Sequence, residues 1–377
     1  MHEPKRILFI CGASYVSGLE VVTLVLMKGL KARGHFIHCV VSGWNDGDFI
    51  GRLREEDIPY TVTKLGFFYF SKPRWTLDAL VHLPQGLATF VGVKKRFRPD
   101  WVYHTSYRTV LTLYPFLREE ENIFSLHEAH LPSLKNRLIY LLIEQKLARF
   151  TAVSEFIKTK LLDLGISEKK IAVVLNGVEI KNQNPLVSRP SSPWITRIGI
   201  VGQIGSWKGH EDLIDALRIL AGRQTAFVCK IFGKGEDQYV QFIRSKVREY
   251  GLENYVEWKG FVKDQDEVYR DLDIVVVPSR SEEPCSLTII ESLTRGKPVI
   301  VTRRGGSPEL VKDGVTGYIV AMKDAASIAL RLEELIKDPF LAQSMALNAA
   351  SDAQYRLSDQ RMISAFENLL TRYETNP

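Results

Sequence analysis

The sequence predicts an α/β protein with two doubly wound, Rossmann-like domains. Three observations carry this. Short β-branched runs alternate with helical stretches along almost the whole chain. A strand, a glycine-containing loop and a helix occur in that order twice, starting near residues 6 and 196. Between the two series, residues 181–193 are polar and hold three prolines, the composition of a linker. A length of 377 residues suits two domains, and each can bury a core without disulfides. The predicted division is an N-terminal domain over 1–180, the linker 181–193, a C-terminal domain over 194–355 and a terminal helical segment over 356–377.

The first series predicts strands over 6–10 and 36–41, with a helix over 19–33 closed by Gly34. Further strands are predicted over 59–63, 101–104, 122–126, 150–153 and 171–174. Pro84 interrupts the helical stretch 76–97, so a kink or two helices are predicted there. The second series predicts a strand over 196–201, a loop rich in glycine and a helix to about 220. Strands over 226–232, 255–258, 273–277 and 299–302 follow. The first loop lacks G-x-G-x-x-G, and no acid ends the second strand, which argues against a dehydrogenase.

Composition is that of an ordinary globular protein, 45% hydrophobic and 25% charged. The four cysteines are scattered without a C-x-x-C pair, so reduced thiols and a cytoplasmic location are expected. The N-terminal apolar run is too short for a signal peptide or a membrane span. Net charge is +6, and all of it lies in residues 1–180, where 24 Lys and Arg face 18 Asp and Glu. Residues 61–110 alone hold eight basic and two acidic residues, among Phe67, Phe68, Tyr69, Phe70, Trp75, Phe90, Phe97 and Trp101. That mixture suits an anionic membrane surface, or else a solvated face over an aromatic core.

Chemistry concentrates in residues 278–309. Pro278 ends a buried strand, the loop carries Glu282 and Glu283, and a helix runs from about 286 to 295 before Gly296. The acids therefore sit at the carboxyl end of a parallel sheet, where open α/β sheets bind ligands. The helix N-terminus offers backbone N–H groups of Cys285, Ser286, Leu287 and Thr288 to an anion such as phosphate. Glu291 lies about 7.5 Å further along the axis. A diphosphate at that N-terminus would have one carboxylate beside it and another down the helix, each an acceptor for sugar hydroxyls. Two sugars flanking a diphosphate describe a nucleotide-sugar.

Glu283-x7-Glu291, preceded by Pro278-Ser279 and followed by Gly296-Lys297-Pro298-Val299, resembles the signature of the retaining GT-B glycosyltransferases of family 4. The resemblance implies two Rossmann-like domains facing across a cleft, with acceptor bound by the first and nucleotide-sugar by the second. It implies that Glu283 holds the donor sugar and Glu291 the ribose. It places Gly18, Gly202, Gln203, Lys208 and Gly233 near the donor phosphates, and Phe261 near the base. His127, after the strand 122–126, would face the donor sugar and acceptor. Glu283, His127 and Lys208 are thus the expected catalytic set. The terminal helical stretch would cross back to the first domain.

The sequence departs from the family at three places. Ser17-Gly18 stands where two glycines are usual, Gln203 stands where an arginine is usual, and Pro284-Cys285-Ser286 replaces Gly-Phe-Gly. With Gln203 in place, Lys208 is the remaining cation on the diphosphate unless Arg280 compensates. His127, Glu128 and His130 do not have metal-ligand spacing, and no metal or other cofactor is expected. The expected activity is transfer of a sugar, with retention, from a nucleotide-sugar to an acceptor hydroxyl of a glycan or a lipid-linked saccharide. Cell-surface polysaccharide or glycolipid synthesis is the expected setting, at the cytoplasm or the inner face of the membrane. No nucleic-acid partner is expected. A nucleotide-sugar epimerase, a pyridoxal-phosphate phosphorylase and a non-catalytic nucleotide-sugar-binding protein are the alternatives.

Overall fold

The computed structural model describes residues 3–44, 47–65, 73–180 and 195–371. They form two compact units, Met1–Gly177 with Asp359–Pro377, and Val178–Ser358. The predicted linker 181–193 and the aromatics Phe67, Phe68, Tyr69 and Phe70 lie outside the described residues.

The first unit alternates strand and helix: β1 (Arg6–Cys11), α1 (Gly18–Ala32), β2 (Phe36–Ser42), α2 (Asp48–Glu55), β3 (Tyr60–Thr63), α3 (Pro73–Phe97), β4 (Trp101–His104), α4 (Tyr107–Leu113), β5 (Asn122–Leu126), α5 (Leu134–Glu144), β6 (Arg149–Ala152), α6 (Glu155–Asp163) and β7 (Ile171–Val173). The strands form a parallel sheet in the order β3-β2-β1-β4-β5-β6-β7. Ile7, Leu8 and Phe9 are fully buried, as strands covered on both faces must be. The order reverses direction between β1 and β4, so the crevice at their carboxyl ends is the natural place for a ligand.

The second unit repeats the plan. It holds β8 (Thr196–Val201), α7 (His210–Gly222), β9 (Phe227–Phe232), α8 (Asp237–Glu249), β10 (Val256–Gly260), α9 (Gln265–Arg270), β11 (Ile274–Val277), α10 (Leu287–Thr294), β12 (Val299–Thr302), α11 (Ser307–Leu310), β13 (Gly317–Val320), α12 (Ala325–Lys337) and α13 (Pro339–Arg356). Its parallel sheet has the order β10-β9-β8-β11-β12-β13, with the reversal between β8 and β11. The core is built from Ile198, Ile231, Ile274 and Ile300 of the strands, with Leu217 of α7 and Leu332 of α12 against them.

The last helix, α14 (Asp359–Thr371), belongs to the first unit and packs along α1. Gly29 makes the close approach possible, because a Cβ there would come within 1.9 Å of Ile363. Glu367 of α14 accepts hydrogen bonds from Arg33 at 2.7 Å and pairs with His35 at 2.9 Å.

Of the two alternatives at Pro84, a kink or two helices, the second does not occur: residues 73–97 form one helix with Pro84 inside it. Pro84 and Leu80 both lie on the exposed side, where water can take the carbonyl that loses its amide partner. Among the described residues, the aromatics of the basic segment divide between core and surface, with Trp75 exposed. Phe90 and Trp101 are core residues, 0% and 5% exposed, and Phe97 lies under the guanidinium of Arg6. No helix among the described residues is long and apolar enough to cross a membrane. All four cysteines are buried free thiols.

Candidate active site

In the second unit the site forms at the β8/β11 reversal. β11 ends at Val277, and the loop that follows carries Glu283 into a buried position, 8% exposed. Gly305 makes that position possible. Its φ is +58°, and its α-carbon packs so tightly on the loop that a Cβ would lie 2.4 Å from the Glu283 carbonyl. The Gly306 amide then donates to that carbonyl at 2.7 Å. The Arg280 amide donates to the Trp207 carbonyl at 2.8 Å, which fixes this loop against the one after β8.

Two side chains hold the Glu283 carboxylate. Lys208 Nζ donates to Oε1 at 2.6 Å, and Ser279 Oγ donates to the same oxygen at 2.5 Å. Burial pushes the carboxyl up, but the Lys208 charge and the hydrogen bonds from Lys208, Ser279 and Ser286 outweigh it. Glu283 is held below the usual carboxylate range and is ionised at neutral pH. The ion pair therefore joins the two strands on either side of the reversal.

Ser286 stands at the N-cap position of α10, and Cys285 and Ser286 are buried while Leu287 and Thr288 are half-buried. Thr288 Oγ1 donates to the carbonyl of Val201 at 3.3 Å, tying the first turn of α10 to the end of β8. Glu291 lies one turn further on. Tyr269 of α9, fully buried, donates its hydroxyl to Glu291 Oε2 at 3.0 Å. Burial raises the Glu291 carboxyl above its ordinary value, against the pull of Arg295 and Tyr269. Arg295 is itself held by Asp266 at 2.7 Å.

The other residues expected at the donor lie just beyond the ends of β8, β9 and β10. Gly202 and Gly233 end β8 and β9 side by side, with the Gly202 amide donating to the Phe232 carbonyl at 3.0 Å. Gln203 is exposed just beyond Gly202. Phe261 is 60% exposed beyond β10, with Lys234 Nζ 5.8 Å from its ring centre.

Arg280, the cation left open as a substitute for the arginine that Gln203 replaces, is engaged elsewhere. Its guanidinium makes two hydrogen bonds to Asp212, at 2.7 and 2.8 Å, and one to Glu211 at 3.0 Å. Those carboxylates occupy the first turn of α7, and the pairing leaves Arg280 as a brace between α7 and the acidic loop.

The first unit has its own cavity at the β1/β4 reversal, lined among others by Gly12, Glu20, Thr105, Arg108, His127 and Glu128. Ser17, at the N-cap of α1 before Gly18, forms a capping box with Glu20. Glu20 Oε2 accepts from the Ser17 amide at 3.0 Å. Burial raises the Glu20 carboxyl. His127 follows β5, and its Nε2 pairs with Ser125 Oγ at 2.9 Å. Desolvation lowers its pKa to about 4, so at neutral pH it is an uncharged imidazole. Glu128 pairs with His130 at 3.4 Å, and His130 Nδ1 with the Tyr140 hydroxyl at 2.6 Å. No metal-binding cluster of His, Cys, Asp and Glu occurs among the described residues.

The structure thus joins Lys208, Glu283, Ser286, Thr288 and Glu291 around one helix end in the second unit. It sets Gly18 and His127 at the carboxyl edge of the first. Sequence reasoning missed Tyr269, Gly305 and Gly306. The Gly-Gly pair was a visible signal for a close approach. Nothing in the sequence marked Tyr269, since its role depends on α9 lying beside α10.

The chain matches two family models. Residues 16–182 match Glycosyltransferase Family 4, and residues 196–352 match Glycosyl transferases group 1. Over 189 residues it is 31% identical to the putative colanic acid biosynthesis glycosyltransferase WcaL of Escherichia coli strain K12, covering 48% of this chain and 45% of that protein. The chain thus spans about half the length of the first curated relatives it matches. The fold is that of a glycosyltransferase from Rickettsia africae, with a TM-score of 0.85, 22% identity and full coverage of both chains. It is also that of Anabaena Alr3699/HepE solved with UDP and glucose, with a TM-score of 0.80, 21% identity and coverage of 97% and 99%. With both halves matched by the family models, the chain belongs to the group 1, family 4 glycosyltransferases and has their GT-B fold.

Proposed function

We propose that the protein transfers a sugar from a nucleotide-sugar to an acceptor hydroxyl of a glycan or lipid-linked saccharide, with retention at the anomeric carbon. The observation that carries this is the Lys208–Glu283 pair at the β8/β11 reversal, beside the N-terminus of α10 and one turn from Glu291. Glu283 accepts hydroxyls of the donor sugar, and Glu291, oriented by Tyr269, accepts those of the ribose. The α10 amides of Cys285, Ser286, Leu287 and Thr288 receive the diphosphate. An ammonium has three donors, so Lys208 can keep its bond to Glu283 and still face the leaving phosphate. Negative charge developing on the diphosphate is then met by Lys208 and the helix end, without a divalent metal. His127, neutral, offers a hydrogen bond to the donor sugar or acceptor, and the departing diphosphate accepts the acceptor's proton. Gly202, Gln203 and Gly233 lie along the phosphates, Phe261 supports the base, and Gly18 is assigned to donor binding by its place in the family motif.

The names of relatives support a setting in polysaccharide assembly, since the E. coli relative is described for colanic acid biosynthesis and a Rhizobium relative for lipopolysaccharide core biosynthesis. The complex of the Anabaena protein with UDP and glucose supports a uridine diphosphate sugar as the donor to try first. The net charge of the first 180 residues supports work at the cytoplasmic face of an anionic membrane.

The test begins with thermal shift in UDP-, GDP- and ADP-sugars, since ligand binding raises stability by mass action. Turnover of the stabilising donor is then followed by NMR of the product anomer. Inversion would refute the retaining assignment. A non-catalytic binding protein is favoured by Gln203 and Arg280 both failing to supply a second cation. Donor binding without turnover on any acceptor would establish that reading instead.

A further inference from the structure

Helix α5 has an arrangement that the transfer site does not use. Its inner side is ordinary, with Tyr140 and Ile143 buried in the first unit. Its outer side is not. Leu134, Leu138 and Leu142 repeat at every fourth residue and are 75%, 60% and 43% exposed. Leu131, in the loop before the helix, is 73% exposed and Leu141 is 42% exposed. The helix is therefore apolar on both sides, which an aqueous surface does not favour.

The charges beside the leucines are basic. Lys135 and Arg137 lie in the first turn of α5, while its one acid, Glu144, stands at the far end and accepts from the Ser167 amide. Both cations are exposed and lie beside the leucines. A leucine row of about 12 Å with cations at its side has the chemistry of an interfacial helix, whose apolar side chains enter the acyl boundary while Lys and Arg meet anionic headgroups. A protein partner would also cover leucines, but nothing else about the stretch calls for an acidic one.

We propose that α5 seats the protein on an anionic phospholipid surface. The helix is also next to the first unit's cavity. Tyr140, on its inner side, bonds to His130 at the cavity wall. A saccharide on a lipid anchored at α5 would have the cavity within reach, and this part of the inference rests on the transfer reading above. The surface so assigned is not the basic segment 61–110, whose Phe90 and Trp101 are in the core.

The full chain is sedimented with vesicles of phosphatidylcholine alone and of phosphatidylcholine with phosphatidylglycerol. It is expected to sediment with the anionic vesicles and not with the neutral ones. The double substitution Lys135→Gln/Arg137→Gln should lower partitioning by about 30-fold, and the triple substitution Leu134→Ser/Leu138→Ser/Leu142→Ser should abolish it. The charge variant should keep the wild-type Tm, and the leucine variant, in which Leu142 is 43% exposed, should stay folded with a modestly lower Tm. Undiminished vesicle binding by both variants overturns the proposal, as does equal binding of the wild type to neutral vesicles or to none. Light scattering that shows a dimer, split to monomers by the leucine substitutions, would make a second copy the occupant and overturn it as well. Calorimetric titration of UDP, GDP and ADP into the same preparations separates the two readings. Vesicle binding through α5 with no diphosphate binding refutes the transfer reading alone, and the reverse refutes the membrane surface alone.

Discussion

Replacing Lys208 with methionine keeps the bulk of the side chain and removes its charge. Glu283 is 8% exposed and takes its countercharge from Lys208 at 2.6 Å. Removing one partner of a buried ion pair costs roughly 3–5 kcal/mol, because the other charge is left desolvated. The Lys208 side chain is 26% exposed, so water reaches the pair and the lower end applies, about 3 kcal/mol. For a unit of this size that is a fall in Tm of about 6–12 °C. The pH dependence identifies the cause. In the wild type the folded Glu283 pKa is depressed, so its contribution is present above the unfolded value near ~4.3 and is lost as pH falls through the folded value. Without Lys208, burial dominates and the folded pKa is raised. The destabilisation is then largest at neutral pH and shrinks as falling pH protonates Glu283. Adding Glu283→Gln to Lys208→Met should restore most of the stability at neutral pH while leaving transfer abolished. The assay is differential scanning calorimetry of the three variants between pH 5 and 8, as set by those pKa values. A Lys208→Met protein as stable as the wild type at pH 7, with an unchanged pH profile, would refute the assignment of Lys208 as the group that keeps Glu283 ionised.

Three further outcomes are expected. Glu291→Gln should weaken binding of the free nucleoside diphosphate by roughly 10- to 150-fold, whereas Glu283→Gln should leave it intact, because that ligand carries no sugar there. Calorimetric titration of both variants decides it, and the opposite pattern reverses the two roles. Transfer should survive EDTA; complete loss with EDTA, restored by Mg²⁺ or Mn²⁺, would show that the leaving group is not neutralised by Lys208 and α10 alone. Acid should destabilise both units before the carboxylates titrate. Desolvation lowers buried His104 and His210 to about 4, so the folded state binds fewer protons than the unfolded chain below ~6.5. Stability is complete above that pH and falls toward pH 4, by about 2–3 kcal/mol per histidine near pH 4.5. A flat Tm from pH 6.5 to 4.5 would count against buried neutral imidazoles.

Much of this was legible because the cues are local. Strand periods ending in proline or glycine placed β8, β11 and β12 within a residue or so of their observed limits. Spacing then put Glu283 in the loop and Glu291 on α10, and the chain's own order put both at a carboxyl sheet end. Local rules left alternatives that only the fold could close. Pro84 allowed a kink or two helices, and α3 runs on as one helix with Pro84 on its exposed side. Basic and aromatic residues interleaved over 61–110 allowed a membrane surface or a solvated face over an aromatic core, and Phe90 and Trp101 are core residues.

The sequence by itself determined the parallel α/β class, the two-part plan, the helix that starts at a carboxyl sheet end and the two carboxylates on and beside it. Those follow from periodicity, turn chemistry and residue spacing, which act within a few residues along the chain. Only the tertiary structure decided which groups answer those carboxylates. Lys208 meets Glu283 across 75 positions of sequence, and Tyr269 meets Glu291 across 22. It spent Arg280 on Asp212 and Glu211, and it left the leucines of α5 facing outward. Charge pairing and burial depend on which elements the sheet order brings side by side, and no spacing along the chain encodes that order.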